Sequence, residues 1–468
     1  MPAQPPHVLL VSFPLQGHVN PLLRLGARLA ARGLLVTFAT FRHAGLRSPR
    51  HDDGAAAGGG RLRFEYLHDG PCCCHLDEDD PTDMLRRVAD VGPPALAGLI
   101  RRLADAGRPV ACVVNNPFVP WALDVAGSMG IPCATLWIQS CAVLSLYYHF
   151  YYGGSPEAFP SEAEPDVAVA VPGLPTVAAD ELPLMVRPEY AANLWGDMLR
   201  AQIGQIRRKT VSWVLVNTFD ALERSAIEAL RAHVSLTPVG PLLEHDDYHH
   251  GGGGDELAVE GDDDGCMAWL DARPPRSVVY VAFGSLVSIG RGEMVAVAEG
   301  LVGTGRPFLW VVRDDSRDLL PEGVLAACTR GGDRGKIVAW CPQGRVLGHG
   351  AVGCFVTHCG WNSAAEALAA GVPVVGYPWW SDQFTNAKFL VDEYQVGVRL
   401  PAPVTRDALR ACVEEVMSGP EAEAFRARAT AWKEEATAAV ADGGSSDRNL
   451  QAFVEDIVRR SKESGASV

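Results

Sequence analysis

Several things are scarce in this chain of 468 residues, and each scarcity narrows what it can be. Positive charge is scarce: 41 Lys and Arg stand against 56 Asp and Glu, a formal net charge of −15. Neither a nucleic acid nor an anionic membrane surface is therefore an expected partner. Long apolar runs are missing, and none approaches the roughly 18–20 residues of a membrane-spanning helix. A basic N-terminal region is missing too. The short run HVLLVSF at 7–13 is followed at once by Pro, Gln, Gly and His, which argues against a signal peptide. None of the 12 cysteines forms a CxxC pair, so a zinc site or a thioredoxin-like motif is not expected. Cys112, Cys133 and Cys354 sit in apolar surroundings, which suits free thiols in a reducing, cytoplasmic setting.

Familiar nucleotide loops are absent as well. GDRGKI near Lys336 lacks the first glycine and the Ser/Thr of a P-loop, and GTGRPF at 303–308 lacks the third glycine of a dinucleotide fingerprint. There is no GxSxG elbow. Asp77-Glu78-Asp79 and Asp262-Asp263-Asp264 have the look of metal-binding triplets, but both lie in acidic, loop-like sequence, so no metal site is expected.

What is present is alternation. VLLVSF, LLVTFAT, VACVVNN, CATLWI and WVLVNT in the first half, and SVVYVAF, PFLWVV, KIVAW, CFVTH and PVVGYPW in the second, read as buried strands between amphipathic segments. That pattern predicts an α/β protein with two doubly wound parallel sheets, and the length demands more than one core. An acidic, glycine-rich stretch at 245–265 reads as the linker between an N-terminal domain, 1–244, and a C-terminal domain, 266–445. The segment 446–468 is amphipathic and is expected to pack back on the first domain. HDDGAAAGGG at 51–60 reads as a surface loop. Two such domains predict a ligand cleft at the carboxyl ends of the strands.

The densest chemistry lies in WCPQGRVLGHGAVGCFVTHCGWNSAAEALAAGVPVVGYPWWSDQ, from Trp340 to Gln383. CFVTH is a strand, CGWNS a glycine turn, and SAAEALAAG a helix ended by Gly371. A helix N-terminus after a strand offers free backbone N–H groups to a diphosphate, with His358, Asn362 and Ser363 adding side-chain donors. Glu366, one turn into the helix, suits a ribose diol. Trp340 offers a face on which a base stacks. Asp382 and Gln383, closing a second strand, suit sugar hydroxyls. Each residue alone is equally readable as cap or core; together they are not.

This box resembles the signature of the plant family 1 UDP-glycosyltransferases over its whole length. LVNTFDALE at 215–223, PVGPLL at 238–243, WLDARPPRSVVYVAFGS at 269–285 and GGSSDRNL at 443–450 extend the likeness over essentially the entire chain. The resemblance implies a GT-B fold, two Rossmann-like domains facing across a cleft, and a metal-free, inverting transfer from a UDP-sugar. By position it implies that Trp340 stacks on uracil, and that Gln343 and Glu366 hold the ribose. Ser285, His358, Asn362 and Ser363 would hold the diphosphate, and Trp361, Asp382 and Gln383 would contact the sugar. A terminal Gln in the box resembles the members that use UDP-glucose.

In the first half, SFPLQGHVNP places His18 at a strand–helix junction, and the resemblance makes it the general base, a role that the ordinary pKa of histidine near ~6.5 permits. The family's usual partner is an aspartate after a later strand; here Asn116 stands at that place, with Asp124 two turns further on. An amide can orient the ring but carries no charge to stabilise an imidazolium. A carboxylic acid acceptor, already ionised at pH 7, tolerates such a weakened base better than a phenol of pKa ~10. HVLLVSFPLQGHVNPLLRLG, NNPFVPWALDVA and LWIQSCA also resemble the subgroup that makes glucose esters of aromatic acids. The expectation is a glucosyltransferase for a small aromatic acid or phenol, acting as a monomer. The alternatives are a flavonoid O- or C-glucosyltransferase and, more remotely, a UDP-sugar epimerase or a non-catalytic nucleotide-sugar-binding protein. Leu15, Phe118, Gln139 and Met185, with Trp379 and Trp380 from the second domain, are the candidate acceptor contacts. Arg187 is the nearest basic residue to suggest for an acid.

Overall fold

The structure is a computed structural model that describes residues 4–41, 61–67, 81–153, 159–160, 167–243, 265–284, 289–329 and 334–465. The loop expected at 51–60, both acidic triplets, the linker at 245–264 and Ser285 lie outside the described residues. The chain divides into two compact units. Of the described residues, the first takes those within 1–179, 184–259 and 439–468, and the second those within 180–183 and 260–438.

The first unit is built on nine strands: β1 (His7–Val11), β2 (Leu35–Phe41), β3 (Leu62–Leu67), β4 (Val110–Asn115), β5 (Cys133–Trp137), β6 (Ala168–Val169), β7 (Val177–Ala178), β8 (Trp213–Val216) and β9 (Leu236–Pro238). Seven of them form one parallel sheet in the order β3-β2-β1-β4-β5-β8-β9, and β6 and β7 make a separate antiparallel ribbon. A parallel sheet is covered on both faces, so its inner strands must be apolar throughout. HVLLV of β1 and CATLW of β5 are accordingly buried at every position. The last helix, Ser445–Gly465, belongs to this unit. Its Leu450, Phe453, Val454 and Ile457 join the core formed by Val8, Leu10, Val114 and Leu136. Trp213 Nε1 donates to Asp456 at 2.7 Å, Ser446 Oγ donates to the Gly240 carbonyl at 2.6 Å, and Arg32 pairs with Asp447.

The second unit carries β10 (Val278–Ala282), β11 (Phe308–Val311), β12 (Gly335–Val338), β13 (Val352–Thr357), β14 (Val374–Gly376) and β15 (Gly397–Arg399). They form a parallel sheet in the order β12-β11-β10-β13-β14-β15. Val279 and Val281 of β10 face one hydrophobic core with Phe308, Trp310 and Val356. Tyr280 points to the opposite face and stacks on Phe355 with ring centroids 4.8 Å apart. The four residues 180–183 also belong here: Glu181 accepts from Lys388 Nζ at 3.1 Å, and its carbonyl accepts from Thr385 Oγ1 at 2.7 Å.

Ten expected strands are all present. β3, β9 and β15 add to the sheets beyond them, for a visible reason. LRFEYL lies at a sheet edge with half-exposed, mixed residues, and the other two have three residues each. In each sheet the strand order reverses at one point, between β1 and β4 in the first unit and between β10 and β13 in the second. Chain crossovers diverge there and leave a crevice beyond the carboxyl ends of those strands.

Candidate active site

Both histidines singled out by the sequence stand at these reversals. In the first unit β1 runs into Ser12-Phe13-Pro14-Leu15, and Leu15 is the cap residue of the helix Gln16–Ala31. His18 lies in the first turn of that helix, its backbone N–H donating to the Leu15 carbonyl at 2.8 Å. From β4, Asn116 follows directly. Its amide is fully buried and does three things: Oδ1 accepts from Phe13 N at 3.1 Å, and Nδ2 donates to Ser12 Oγ at 3.0 Å and to the His18 carbonyl at 2.9 Å. The expected role for Asn116 was to orient the imidazole ring. Its hydrogen bonds instead hold the backbone that carries the ring, and Nδ1 of His18 is enclosed with no hydrogen-bond partner among the described residues.

Burial sets the ring's chemistry. Desolvation pushes its pKa down to about 4, while the nearby Asn116 side chain and Pro117 backbone only partly oppose this, neither reaching hydrogen-bond geometry with Nδ1. His18 is therefore neutral near pH 7. Asp124 supplies no charge to it: that carboxylate is exposed and accepts from Gln205 Nε2 at 2.8 Å.

The walls around His18 are aromatic. Phe13 meets the imidazole edge-on at 5.3 Å and Phe118 lies at 5.5 Å. Phe118 in turn packs edge-on against Trp195 at 5.1 Å. Phe118 has φ of 70°, a left-handed conformation that is strained for a bulky residue and tends to persist at functional sites. Trp195 opens the helix Leu194–Arg207, whose cap Asn193 accepts from Trp195 N at 2.9 Å. Of the other acceptor candidates, Leu15 and Gln139 are half-buried at the carboxyl ends of β1 and β5. Met185 is buried, and its carbonyl accepts from Tyr151 OH at 3.1 Å. Arg187 is half-buried.

In the second unit Gly284 lies two residues beyond β10, and His358 directly follows β13. The His358 ring is seated between two glycines. A Cβ placed on Gly284 would lie 2.6 Å from Nε2, and one on Gly360 would lie 2.4 Å from it. Gly284 also has φ of 77°. Desolvation drives His358 down to about 4, weakly countered by the Ala282 backbone. The helix following is Trp361–Ala370, two residues longer at its start than SAAEALAAG suggests, with Gly360 as its cap and Gly371 ending it at φ of 74°. Asn362 and Ser363 therefore sit in the first turn, where N–H groups have no carbonyl four residues back to bond. Trp361 is buried.

Gln343 ties the next elements together. Its Nε2 donates to Glu366 Oε2 at 2.7 Å and to Ser363 Oγ at 3.0 Å, and its Oε1 accepts from Tyr280 OH at 3.1 Å. Trp340 lies half-buried just beyond β12. Asp382 and Gln383 do not close a strand as expected: β14 stops at Gly376, and Asp382 caps the short helix Gln383–Lys388. Pro378 cannot donate to a ladder, and Ser381, with φ of 55°, turns the chain ahead of that helix. Gln383 Oε1 accepts from the backbone N–H groups of Trp379 and Trp380 at 2.8 and 2.9 Å, and Asp382 Oδ2 accepts from Asn386 Nδ2 at 2.7 Å.

Phe13, Trp195, Tyr280 and Gly284 were not picked out from sequence. A tyrosine inside the continuous apolar run SVVYVAF, whose hydroxyl needs a partner when buried, was the one available signal. Trp195 carried none. Among the described residues no group of three or more His, Cys, Asp or Glu is arranged to hold a metal ion, and no helix is long and apolar enough to cross a membrane.

The sequence profile described as "UDP-glucoronosyl and UDP-glucosyl transferase" matches residues 185–425. A gallate 1-beta-glucosyltransferase of Punica granatum is 43% identical, over 98% of this chain and 92% of its own length. A cinnamate beta-D-glucosyltransferase of Fragaria ananassa is 41% identical, over 97% of this chain and 83% of its own. Among solved structures, Os79 from O. sativa in complex with UDP superposes with a TM-score of 0.82 at 31% identity, covering 96% of this chain and 100% of that one.

Proposed function

The chain belongs to the family of UDP-glucuronosyl and UDP-glucosyl transferases, and from that premise we propose that it moves glucose from UDP-glucose to the carboxylate of a small aromatic acid, forming a β-glucose ester with inversion. The second unit takes the donor. Trp340 stacks on the base, Glu366 with Gln343 receives the ribose, and the start of the helix Trp361–Ala370 with His358, Asn362, Ser363 and Ser285 receives the diphosphate. Trp361, Asp382 and Gln383 face the sugar. The acceptor lies beside His18, against Phe118, with Leu15, Gln139 and Met185 as further contacts. No metal is assigned a role.

A carboxylate oxygen attacks the anomeric carbon as the bond from that carbon to the β-phosphate oxygen breaks. The electron pair departs with UDP, whose charge is met by the positive end of the helix Trp361–Ala370. No proton has to move. The observation that carries the choice of acceptor is the residue at 116: its amide is spent on Phe13 N, Ser12 Oγ and the His18 carbonyl, and being neutral it offers the His18 ring no anion. A phenol of pKa ~10 needs its proton removed, and a ring at about 4 is poorly matched to that task. The relatives named for gallate and cinnamate support the same reading.

The test is UDP release from UDP-glucose over matched pairs of aromatic acids and phenols, with alkaline hydrolysis of the products. Turnover on the acids giving base-labile products supports the proposal. Preference for the phenols, or base-stable products, overturns the ester assignment. UDP-glucose isomerised without acceptor, or bound without any release, overturns the transferase reading.

A further inference from the structure

Tyr280 lies outside the Trp340–Gln383 stretch, is buried to 1% exposure on the central strand β10, and yet reaches into the candidate donor site. Its hydroxyl donates to Gln343 Oε1 at 3.1 Å and lies 3.3 Å from Cys341 Sγ. A phenol has one hydrogen. With that hydrogen given to Gln343, the contact with Cys341 is completed by the thiol as donor. This is consistent with a buried, protonated thiol.

The chain of donors then has one direction: Cys341 S–H to Tyr280 O–H, Tyr280 to the Gln343 carbonyl, and the Gln343 NH2 group to Glu366 Oε2 and Ser363 Oγ. Each link polarises the next, and the chain ends on a carboxylate. The decisive point is the amide. Rotated by half a turn, Gln343 would set its carbonyl oxygen against Glu366, oxygen to oxygen, with both NH2 hydrogens taken from the carboxylate. Glu366 disfavours the flipped amide, and Tyr280, donating to the Gln343 carbonyl oxygen, adds a second anchor at the other end of the observed orientation.

We infer that Tyr280 is a positioning residue for the donor: by fixing the side-chain amide of Gln343 it holds Glu366 ready for the ribose hydroxyls. The inference rests on the donor-site reading above and goes beyond it, since that reading gives Tyr280 no part in holding the donor. Its ring, stacked on Phe355, is retained in Tyr280→Phe, so that substitution removes one hydroxyl and little packing.

The experiment measures steady-state constants for Tyr280→Phe, Gln343→Ala and the double variant, together with UDP affinity by calorimetry and the thermal midpoint. Tyr280→Phe is expected to raise KM for UDP-glucose and weaken UDP binding about five- to tenfold, the size of one hydrogen bond. The kcat and the acceptor KM should stay within about twofold. In the Gln343→Ala background the same substitution should change neither constant further, because the group it acts through is gone. Replacing UDP-glucose by its 2′-deoxy analogue should cost Tyr280→Phe less than it costs the native enzyme. An unchanged donor KM, a loss confined to kcat, or an equal Tyr280→Phe effect with and without Gln343 overturns the inference. If the native protein itself binds no UDP, the donor-site reading fails first, and that result is separate from all of these.

Discussion

Asn116 donates from its side chain to the backbone carbonyl of His18 at 2.9 Å, across 98 positions of sequence. One amide thereby joins the ends of β1 and β4 and fixes the first turn of the following helix, and being neutral it brings no charge to the imidazole. Asn116→Asp would remove both N–H donors and place an anion beside the ring. His18 should then titrate above its present value near 4, moving the acidic limb of the pH–rate profile upward. Transfer to aromatic acids should fall by an order of magnitude or more, as the carboxylates repel, and transfer to phenols should rise relative to it. Ratios of kcat/KM for benzoate-type and phenol-type acceptors measure this. A variant that loses both activities equally would show that the charge at 116 does not select the acceptor.

The seat of His358 makes a steric prediction. Gly360→Ala sets a methyl 2.4 Å from the imidazole, and Gly284→Ala sets one 2.6 Å away in a backbone conformation with positive φ. Each should displace the ring and weaken UDP binding by at least tenfold, with Gly284→Ala also costing about 1–2 kcal/mol of stability. Gly323→Ala is the control, since it lies in a helix with nothing within 4 Å and should leave binding intact. Native affinity in Gly360→Ala would mean that His358 takes no part in holding the diphosphate.

Acid sensitivity follows from the two histidines. Both have folded pKa values near 4 against an ordinary 6.5. Between those limits the unfolded chain binds more protons than the folded one, so stability rises with pH across that window. Their contribution is complete above pH 6.5 and is lost progressively as pH falls through 4, to the extent of up to about 3 kcal/mol each. Urea denaturation of the ligand-free protein at pH 7 and pH 4.5 should show the loss. His18→Gln and His358→Gln should each flatten the slope, and an unaltered slope in both variants would place the acid sensitivity elsewhere.

Glu223 offers a test of the first unit's framework away from the chemistry. Its carboxylate, 4% exposed, accepts from Cys141 N at 2.9 Å and Ala142 N at 3.0 Å, at the start of the helix Cys141–Tyr152. Burial raises its pKa, and the N–H donors at the helix end pull it back. Glu223→Ala strands two buried N–H groups and should cost about 2–4 kcal/mol, while Glu223→Gln should cost less by keeping one acceptor. Denaturation midpoints at constant m-value report the difference. A loss under 0.5 kcal/mol for Glu223→Ala would mean that water satisfies those groups.

Much of this could be seen in the sequence because it is local. Continuous apolar runs such as HVLLV and VACVV announce buried parallel strands, and a glycine turn after an apolar run announces the strand–helix junction at 358–363. The junction that carries His18 was legible for the same reason. What escaped depends on distance in sequence. The use of the Asn116 amide on Phe13 and His18, the packing of Trp195 on Phe118, and the reach of Tyr280 to Gln343 join residues 63 to 103 positions apart. No periodicity encodes them. The start of the helix at Gln383 was misjudged because Ser381 takes a positive φ that its residue type does not advertise.

The closing helix has a consequence for biosynthesis. Phe453 and its neighbours fill a core whose other residues, from Val8 to Leu242, are translated more than two hundred positions earlier, and the whole sheet of the second unit is translated in between. On the ribosome the second unit can therefore complete its core before the first does. Until Ser445–Gly465 emerges, the first unit waits with an open apolar face, so the order of synthesis and the order of completion run opposite ways. Translation that stops near residue 440 would yield a finished second unit and an exposed, chaperone-dependent first unit.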